Sequence, residues 1–224
     1  MKLDMNEVLR YLGAGTSEQE QLCTEVSTMA DRLTSGLQPR YTYRVFSLEH
    51  RSDGVWLPEA GILFSGRDAE KMLAQCDQAV LLACTLGAEF ETMLRAEQAR
   101  DMSKAVILDA CGSAWVEAGC DQVERELETR FPGRYRTDRF SPGYGDLPLS
   151  LQPEICAVLD TPRRLGLHVT EHFLMNPSKS VTAIIGLSDR PQMARIRGCA
   201  HCSMRETCTL RKGGKHCANE TASR

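Results

Sequence analysis

The spacing of apolar positions divides the first 189 residues into helical and extended stretches. Met5 to Leu12 and Ser17 to Leu37 repeat apolar residues every three to four positions, the period of an amphipathic helix, and Gly13 to Gly15 break the two apart. Tyr41-Thr42-Tyr43-Arg44-Val45-Phe46 alternates and is rich in strand formers, while Val55-Trp56-Leu57 and Gly61-Ile62-Leu63-Phe64 predict further extended pieces. Residues 79–84, Ala-Val-Leu-Leu-Ala-Cys, form a short apolar run that reads as a buried strand, ended by Thr85-Leu86-Gly87 before a helix through about Glu97. The longest periodic segment is 101–130. There Ala105, Leu108, Gly112, Trp115 or Val116, Gly119, Val123 and Leu127 predict one buried face of a long helix. Leu167 to Met175 and Ser180 to Leu187 are strand-like runs joined by Asn176-Pro177-Ser178-Lys179, which predicts an antiparallel hairpin. Helices interspersed with hairpin-linked strands, without the alternation of a doubly wound fold, point to α+β: helices packed around a twisted antiparallel sheet.

Charge adds a boundary that periodicity does not show. The chain of 224 residues carries a net charge of −3, but residues 190–224 hold eight Lys/Arg against two Asp/Glu, which leaves −9 on residues 1–189. Turn residues in Leu187-Ser188-Asp189-Arg190-Pro191 sit at the change. We therefore read a globular body, 1–189, and a basic, Cys-rich tail, 190–224. The tail is either a solvated extension or a docking surface for an acidic partner. With 42% hydrophobic and 25% charged residues the composition excludes a collagenous or wholly disordered chain. The opening Met1 to Glu7 carries an early acid and no apolar core of a signal peptide, and no run approaches the roughly 20 apolar residues of a membrane span. Ten cysteines fall below the density of a disulfide-stapled scaffold, so a reducing cytoplasm is expected.

Three places carry candidate chemistry. Neither a G-x-G-x-x-G turn after a strand nor a G-x-x-x-x-G-K-[ST] loop is present, so the common phosphate-loop folds have no support. Arg139-Phe140-Ser141-Pro142-Gly143-Tyr144-Gly145-Asp146 combines a guanidinium suited to a carboxylate, glycines that admit a ligand to the backbone, and a phenol with a flat apolar face. Taken alone it is also an ordinary Pro-Gly turn. Glu117 shares a helical row with Val106, Ala110, Ser113 and Cys120; it is either a solvated edge residue or an acceptor for a ligand's ammonium or hydroxyl groups. His168 and His172 have no acidic or cysteine partner at ligand spacing and read as surface or packed histidines. In the tail, Cys199, Cys202, Cys208 and Cys217 follow C-x2-C-x5-C-x8-C. That set suits a zinc ion or an iron–sulfur cluster, redox thiols, or an inert extension.

Two of these segments together resemble a known family. Arg139-x-x-Pro142-Gly143-Tyr144, followed by Leu167-x-Val169-Thr170-Glu171-x-Phe173-x-Met175-x-Pro177-x-x-Ser180-Val181, resembles the C-terminal activation domain of cobalamin-dependent methionine synthase, and more closely its free-standing bacterial relatives. The opening Glu7 to Gly13, the Thr85-Leu86-Gly87 turn and the helix bearing Glu117 are similar to the free-standing group. The resemblance implies a domain that binds S-adenosylmethionine and helps restore the partner's cobalamin from its inactive cob(II) state, using one electron from a donor such as flavodoxin or ferredoxin. It implies that Arg139 holds the ligand's carboxylate and Glu117 accepts from its polar groups. Pro142, Gly143 and Tyr144 would then form the loop beneath the ligand, with Tyr144 near the methyl-transfer path. Gly133 stands where the fused enzymes carry a second acidic contact. No D-x-H-x-x-G corrinoid motif occurs, so cobalamin is expected on a partner, either methionine synthase or a related corrinoid methyltransferase. The leaving group would be a neutral thioether, so positioning, rather than acid–base catalysis, is the demand on the protein.

A second class of function is a non-enzymatic interaction module whose zinc-bound basic tail grips an acidic protein. Nucleic acid fits less well, because residues 190–224 contain no aromatic side chain to stack on bases.

Overall fold

The computed structural model describes residues 1–13, 20–192 and 206–207. In chain order the elements are α1 (Met5–Tyr11), α2 (Glu20–Gly36), β1 (Arg40–Ser47), β2 (Glu49–Arg51), β3 (Gly54–Leu57), β4 (Ile62–Phe64), α3 (Arg67–Leu73), β5 (Gln78–Thr85), α4 (Gly87–Gln98) and α5 (Met102–Arg130). They continue with β6 (Tyr135–Arg136), a 3₁₀ turn at Leu149–Leu151, α6 (Gln152–Leu159), α7 (Thr161–Leu165), β7 (His168–Val169), β8 (Met175–Asn176) and β9 (Ser180–Ser188). The main sheet has the order β1-β5-β9-β6, beside a three-stranded sheet β2-β3-β4 and a two-stranded pair β7-β8. Mixed helices and sheet bear out the α+β expectation. No described helix is long and apolar enough to cross a membrane.

The chain forms two compact units, and β1, β5 and β9 contribute to both. One unit comprises Met1–Arg44, Leu81–Pro132 and Ser150–Thr182. Its centre is α5, started by Asp101, whose carboxylate accepts from the amides of Ser103 and Lys104 at 3.0 and 3.2 Å. The predicted stripe of Ala105, Leu108, Gly112, Trp115, Gly119, Val123 and Leu127 is buried, and α1, α2 and α4 pack against α5. Burying each large apolar side chain of that stripe contributes about 1.5–3 kcal/mol. Trp115 buries its ring and still satisfies its indole N–H, which donates to the Leu37 carbonyl at 2.8 Å.

The other unit comprises Val45–Val80, Gly133–Leu149 and the chain from Ala183. The meander β2-β3-β4 is antiparallel, with Val55 opposite Phe64 and Leu57 opposite Ile62, and α3 packs on β3. Phe46, Val55, Leu57, Ile62, Phe64, Ala69, Met72 and Leu73 are among the buried apolar residues of this unit. β6 pairs antiparallel with β9 through Tyr135 opposite Ser188 and Arg136 opposite Leu187.

The apolar run at 79–84 is a buried central strand, as expected. The hairpin expected between 167–175 and 180–187 does not form. The first run instead folds on itself, with His168 opposite Asn176 and Val169 opposite Met175, around a tip closed by a 2.8 Å bond from the Thr170 amide to the Leu174 carbonyl. The second run, β9, lies between β5 and β6. Two bonds fix β5 and β9 as antiparallel: Leu86 N to Lys179 O at 2.9 Å and Asp77 N to Leu187 O at 3.2 Å. The reason is burial: every β9 residue except Val181 is buried, and such a strand needs neighbours on both edges and cover on both faces. Helices α3, α6 and α7 and strands β2 and β6 were not anticipated. Pro153 and Pro162, each in the first turn of its helix, are the signals for α6 and α7.

Candidate functional site

The Arg139 to Asp146 segment is built from a strand edge and a loop pinned to a helix. After the pairing of Arg136 with Leu187, the next register point is Phe140 with Ile184, held by bonds of 3.1 and 2.7 Å in both directions. Three residues, 137–139, therefore face two, 185–186, which is a β-bulge. Thr137 stitches it closed: its amide donates to the Gly186 carbonyl at 3.1 Å, and its hydroxyl accepts from the Gly186 amide at 2.9 Å. Arg139 lies on this bulge and is buried, at 8% exposure. A guanidinium so withdrawn from water needs anionic or carbonyl partners to offset its desolvation.

The loop that follows is fixed by its own backbone and by Asp146. The amide of Gly143 donates to the Leu147 carbonyl at 2.9 Å, and that of Tyr144 to the Ser141 carbonyl at 3.1 Å. The Asp146 carboxylate accepts from the amides of Arg67 and Asp68 at 2.7 and 3.1 Å, capping α3, and the Asp146 amide donates back to the Asp68 carboxylate at 3.3 Å. Gly145, at φ +56, is required where it stands, since a Cβ there would collide with the Asp68 carboxylate. The consequence is a rigid platform with Pro142 buried and the Tyr144 ring 64% exposed.

Glu117 sits in the other unit, half-buried on α5. Sequence reasoning missed its company on α1. The Arg10 guanidinium pairs with Glu7 one turn earlier and lies 4.4 Å from the centroid of the Tyr11 ring. Burial pushes the Tyr11 phenol above its ordinary range, and the neighbouring Glu117 carboxylate pushes it further. Burial opposes the charge of Arg10, yet its pairing with Glu7 holds its pKa above the usual value. The (i, i+3) spacing of Glu7 and Arg10 was the available signal.

The Pro177 to Val181 motif is a clamp. The Ser178 amide and hydroxyl both donate to the Glu91 carboxylate at 2.7 Å, and the Lys179 ammonium reaches Asp109 and Ser113 at 2.9 Å each. The Ser180 hydroxyl lies 2.7 Å from both the Thr85 hydroxyl and the Pro177 carbonyl. Three consecutive side chains thus tie the entry of β9 to α4, α5 and β5. His168 and His172 are exposed, and among the described residues no three His, Cys, Asp or Glu side chains form a metal-binding group. Cys199, Cys202, Cys208 and Cys217 lie outside the described residues.

Residues 68–200 match the family model described as vitamin B12 dependent methionine synthase, activation domain. That range is more than half of the chain. The chain belongs to this activation-domain family. The matched range takes in Glu117, Arg139 and the Pro142-Gly143-Tyr144 loop, and leaves α1 and α2 of this activation domain outside it. A solved structure described as the MetH reactivation domain bound to AdoHcy matches with a TM-score of 0.64 and 16% identity, over 96% of this chain and 82% of that one. At this identity the likeness establishes a common fold. No curated protein matches the sequence significantly.

Proposed function

We propose that this activation domain binds S-adenosylmethionine and supports reductive methylation of the cobalamin held by a separate methionine synthase. When bound, S-adenosylmethionine supplies the methyl group, and a donor of the flavodoxin or ferredoxin kind supplies the electron. Arg139 grips the ligand's carboxylate with its planar fork, the recognition for which arginine is suited. Pro142, Gly143 and Tyr144 supply the backbone platform beneath the ligand, and Glu117 accepts from its ammonium or hydroxyl groups. No side chain has to move a proton, so the residues act by positioning. The four tail cysteines hold a zinc ion or an iron–sulfur cluster, the latter serving as the electron relay.

The observation that carries the reading is the bulge that buries Arg139 immediately before a loop locked by Asp146, inside the residues matched to the family. Equilibrium titration with S-adenosylmethionine tests it. Wild type binds, and Arg139→Ala weakens binding at least about tenfold, the loss expected of a charge-assisted bidentate contact. Absence of binding by wild type, or equal affinity in both proteins, overturns the site. Anaerobic reconstitution followed by visible absorption and iron analysis tests the relay, which a colourless, iron-free protein rejects.

A further inference from the structure

A peptide unit is planar, so the direction in which a side chain leaves the backbone is set once the two peptide planes flanking its Cα are held. Both planes around Arg139 are held by bonds inside one unit of the molecule. On the C-terminal side, the Phe140 amide shares a plane with the Arg139 carbonyl and donates to the Ile184 carbonyl at 3.1 Å. On the N-terminal side, the Asp138 carbonyl shares a plane with the Arg139 amide and accepts from the Thr137 hydroxyl at 3.0 Å. The same hydroxyl accepts from the Gly186 amide at 2.9 Å, while the Thr137 amide donates to the Gly186 carbonyl at 3.1 Å. In a regular antiparallel pair both bonds run from backbone to backbone. Here the Gly186 amide goes to the Thr137 side chain instead, and the extra residue of the bulge is accommodated between that bond and the pairing of Phe140 with Ile184. Thr137 is itself fixed: it is buried, at 6% exposure, and a β-branched side chain has little freedom at χ1. Glycine at 186 admits it, since a Cβ there would lie 2.9 Å from the Thr137 methyl.

We propose that Thr137 is a positioning residue of the ligand site: through the Asp138 carbonyl, its hydroxyl aims the Arg139 side chain at the ligand's carboxylate. The inference rests on the S-adenosylmethionine reading and deepens it, because it assigns the site's preference for a carboxylate to a hydroxyl that touches no ligand. A bidentate contact needs both N–H groups of the guanidinium in line with the two oxygens. An arginine already held in that direction loses less freedom when the ligand arrives. Without the hydroxyl the peptide between Asp138 and Arg139 is free to turn, so the contact to the carboxylate weakens while contacts to the rest of the ligand do not.

The experiment compares wild type, Thr137→Val, Thr137→Ser, Arg139→Ala and the double variant Thr137→Val with Arg139→Ala. Each is titrated with S-adenosylmethionine and with decarboxylated S-adenosylmethionine, which keeps the sulfonium and the amine but has no carboxylate. Thermal melts establish that each variant is folded. Valine keeps the shape of threonine and removes the hydroxyl; it should weaken S-adenosylmethionine about fivefold and the decarboxylated form by less than about twofold. Serine restores the hydroxyl and should restore the preference between the two ligands. In the Arg139→Ala background, Thr137→Val should add no further loss, because the two residues act as one unit. A general loosening of the fold would instead weaken both ligands alike. That result, an unchanged preference in Thr137→Val, a Thr137→Ser as impaired as the valine variant, or additive losses in the double variant each overturn the inference while wild-type binding still stands. If wild type binds neither ligand, or binds both equally, the broader reading of Arg139 falls and this inference with it. Should Thr137→Val fail to fold, Thr137→Ala takes its place, since its smaller side chain lets water reach the Gly186 amide. The same loss of preference is expected of it, and an unchanged preference overturns the inference.

Discussion

At the scale of single residues, Asp146 shows how a loop that looks like a ligand loop is held. Its carboxylate takes two amides at the start of α3, and its own amide is taken by Asp68 in return. Gly66 and Gly145 leave room for this exchange: a Cβ at Gly66 would lie 2.6 Å from the Asp146 carboxylate. Asp146→Ala should therefore cost about 1–2 kcal/mol in urea unfolding, the typical cost of a lost helix cap, and Asp146→Asn should recover part of it. The same alanine variant should bind S-adenosylmethionine more weakly, because the Pro142-Gly143-Tyr144 platform loses its tether. Full stability and full affinity in Asp146→Ala would show that the backbone bonds of the loop suffice. The sequence drew attention to this segment through its glycines, proline and arginine, but it gave the Asp146 carboxylate no role. Its partners are 78 and 79 residues away, and no local pattern encodes such a pairing. Glu117 was legible for the opposite reason: its helical row is local, whereas its neighbour Tyr11 is not.

At the scale of elements, the long helix was the most readable part of the chain and β9 the most misleading. α5 announces itself through a stripe repeated over 29 residues, and Asp101 marks its start. β9 has the right local pattern, but which strand it joins depends on competition among all edges, and its burial on both faces sends it to the centre of the sheet. The glycines within α5 follow from the same packing. A Cβ at Gly119 would lie 2.6 Å from both the Cys84 sulfur and Cβ of Pro39, a rigid ring that cannot turn aside. Gly119→Ala gains about 1 kcal/mol of helix propensity. Overpacking opposes it with about 1–3 kcal/mol, and the buried position of both neighbours favours the upper end. The substitution should thus lower stability by about 1–2 kcal/mol on balance. Gly36→Ala provides the contrast, since nothing lies within 4 Å of its added Cβ and α2 ends there. Denaturant midpoints of the two variants should move in opposite directions, or only that of Gly119→Ala should fall. A stabilised Gly119→Ala would show that α5 can shift away from Pro39 at little cost.

At the scale of the whole molecule, the question is whether the two units unfold together, and two buried thiols allow it to be asked. Burial pushes Cys76 in one unit and Cys111 in the other up to about 12 from an ordinary value of 9.0. A thiol whose folded pKa is raised stays protonated in the native state while the unfolded chain ionises. Its contribution to stability is complete below about pH 9 and is lost progressively as the pH rises toward about 12. Stability should therefore fall between pH 9 and 12 more steeply in wild type than in Cys76→Ala or Cys111→Ala, with each substitution removing part of the slope. Three strands, β1, β5 and β9, run from one unit into the other, so neither unit can lose its part of the sheet without pulling on strands of the other. One cooperative transition is expected on this ground, and both substitutions should flatten the pH dependence of that same transition. Urea melts at pH 8 and pH 10.5, followed by tryptophan fluorescence from Trp56 in one unit and Trp115 in the other, check this. Variants retaining a single tryptophan should give superimposable curves. Two separated transitions, with Cys76→Ala affecting only the one reported by Trp56 and Cys111→Ala only the one reported by Trp115, would show that strand continuity does not couple the units.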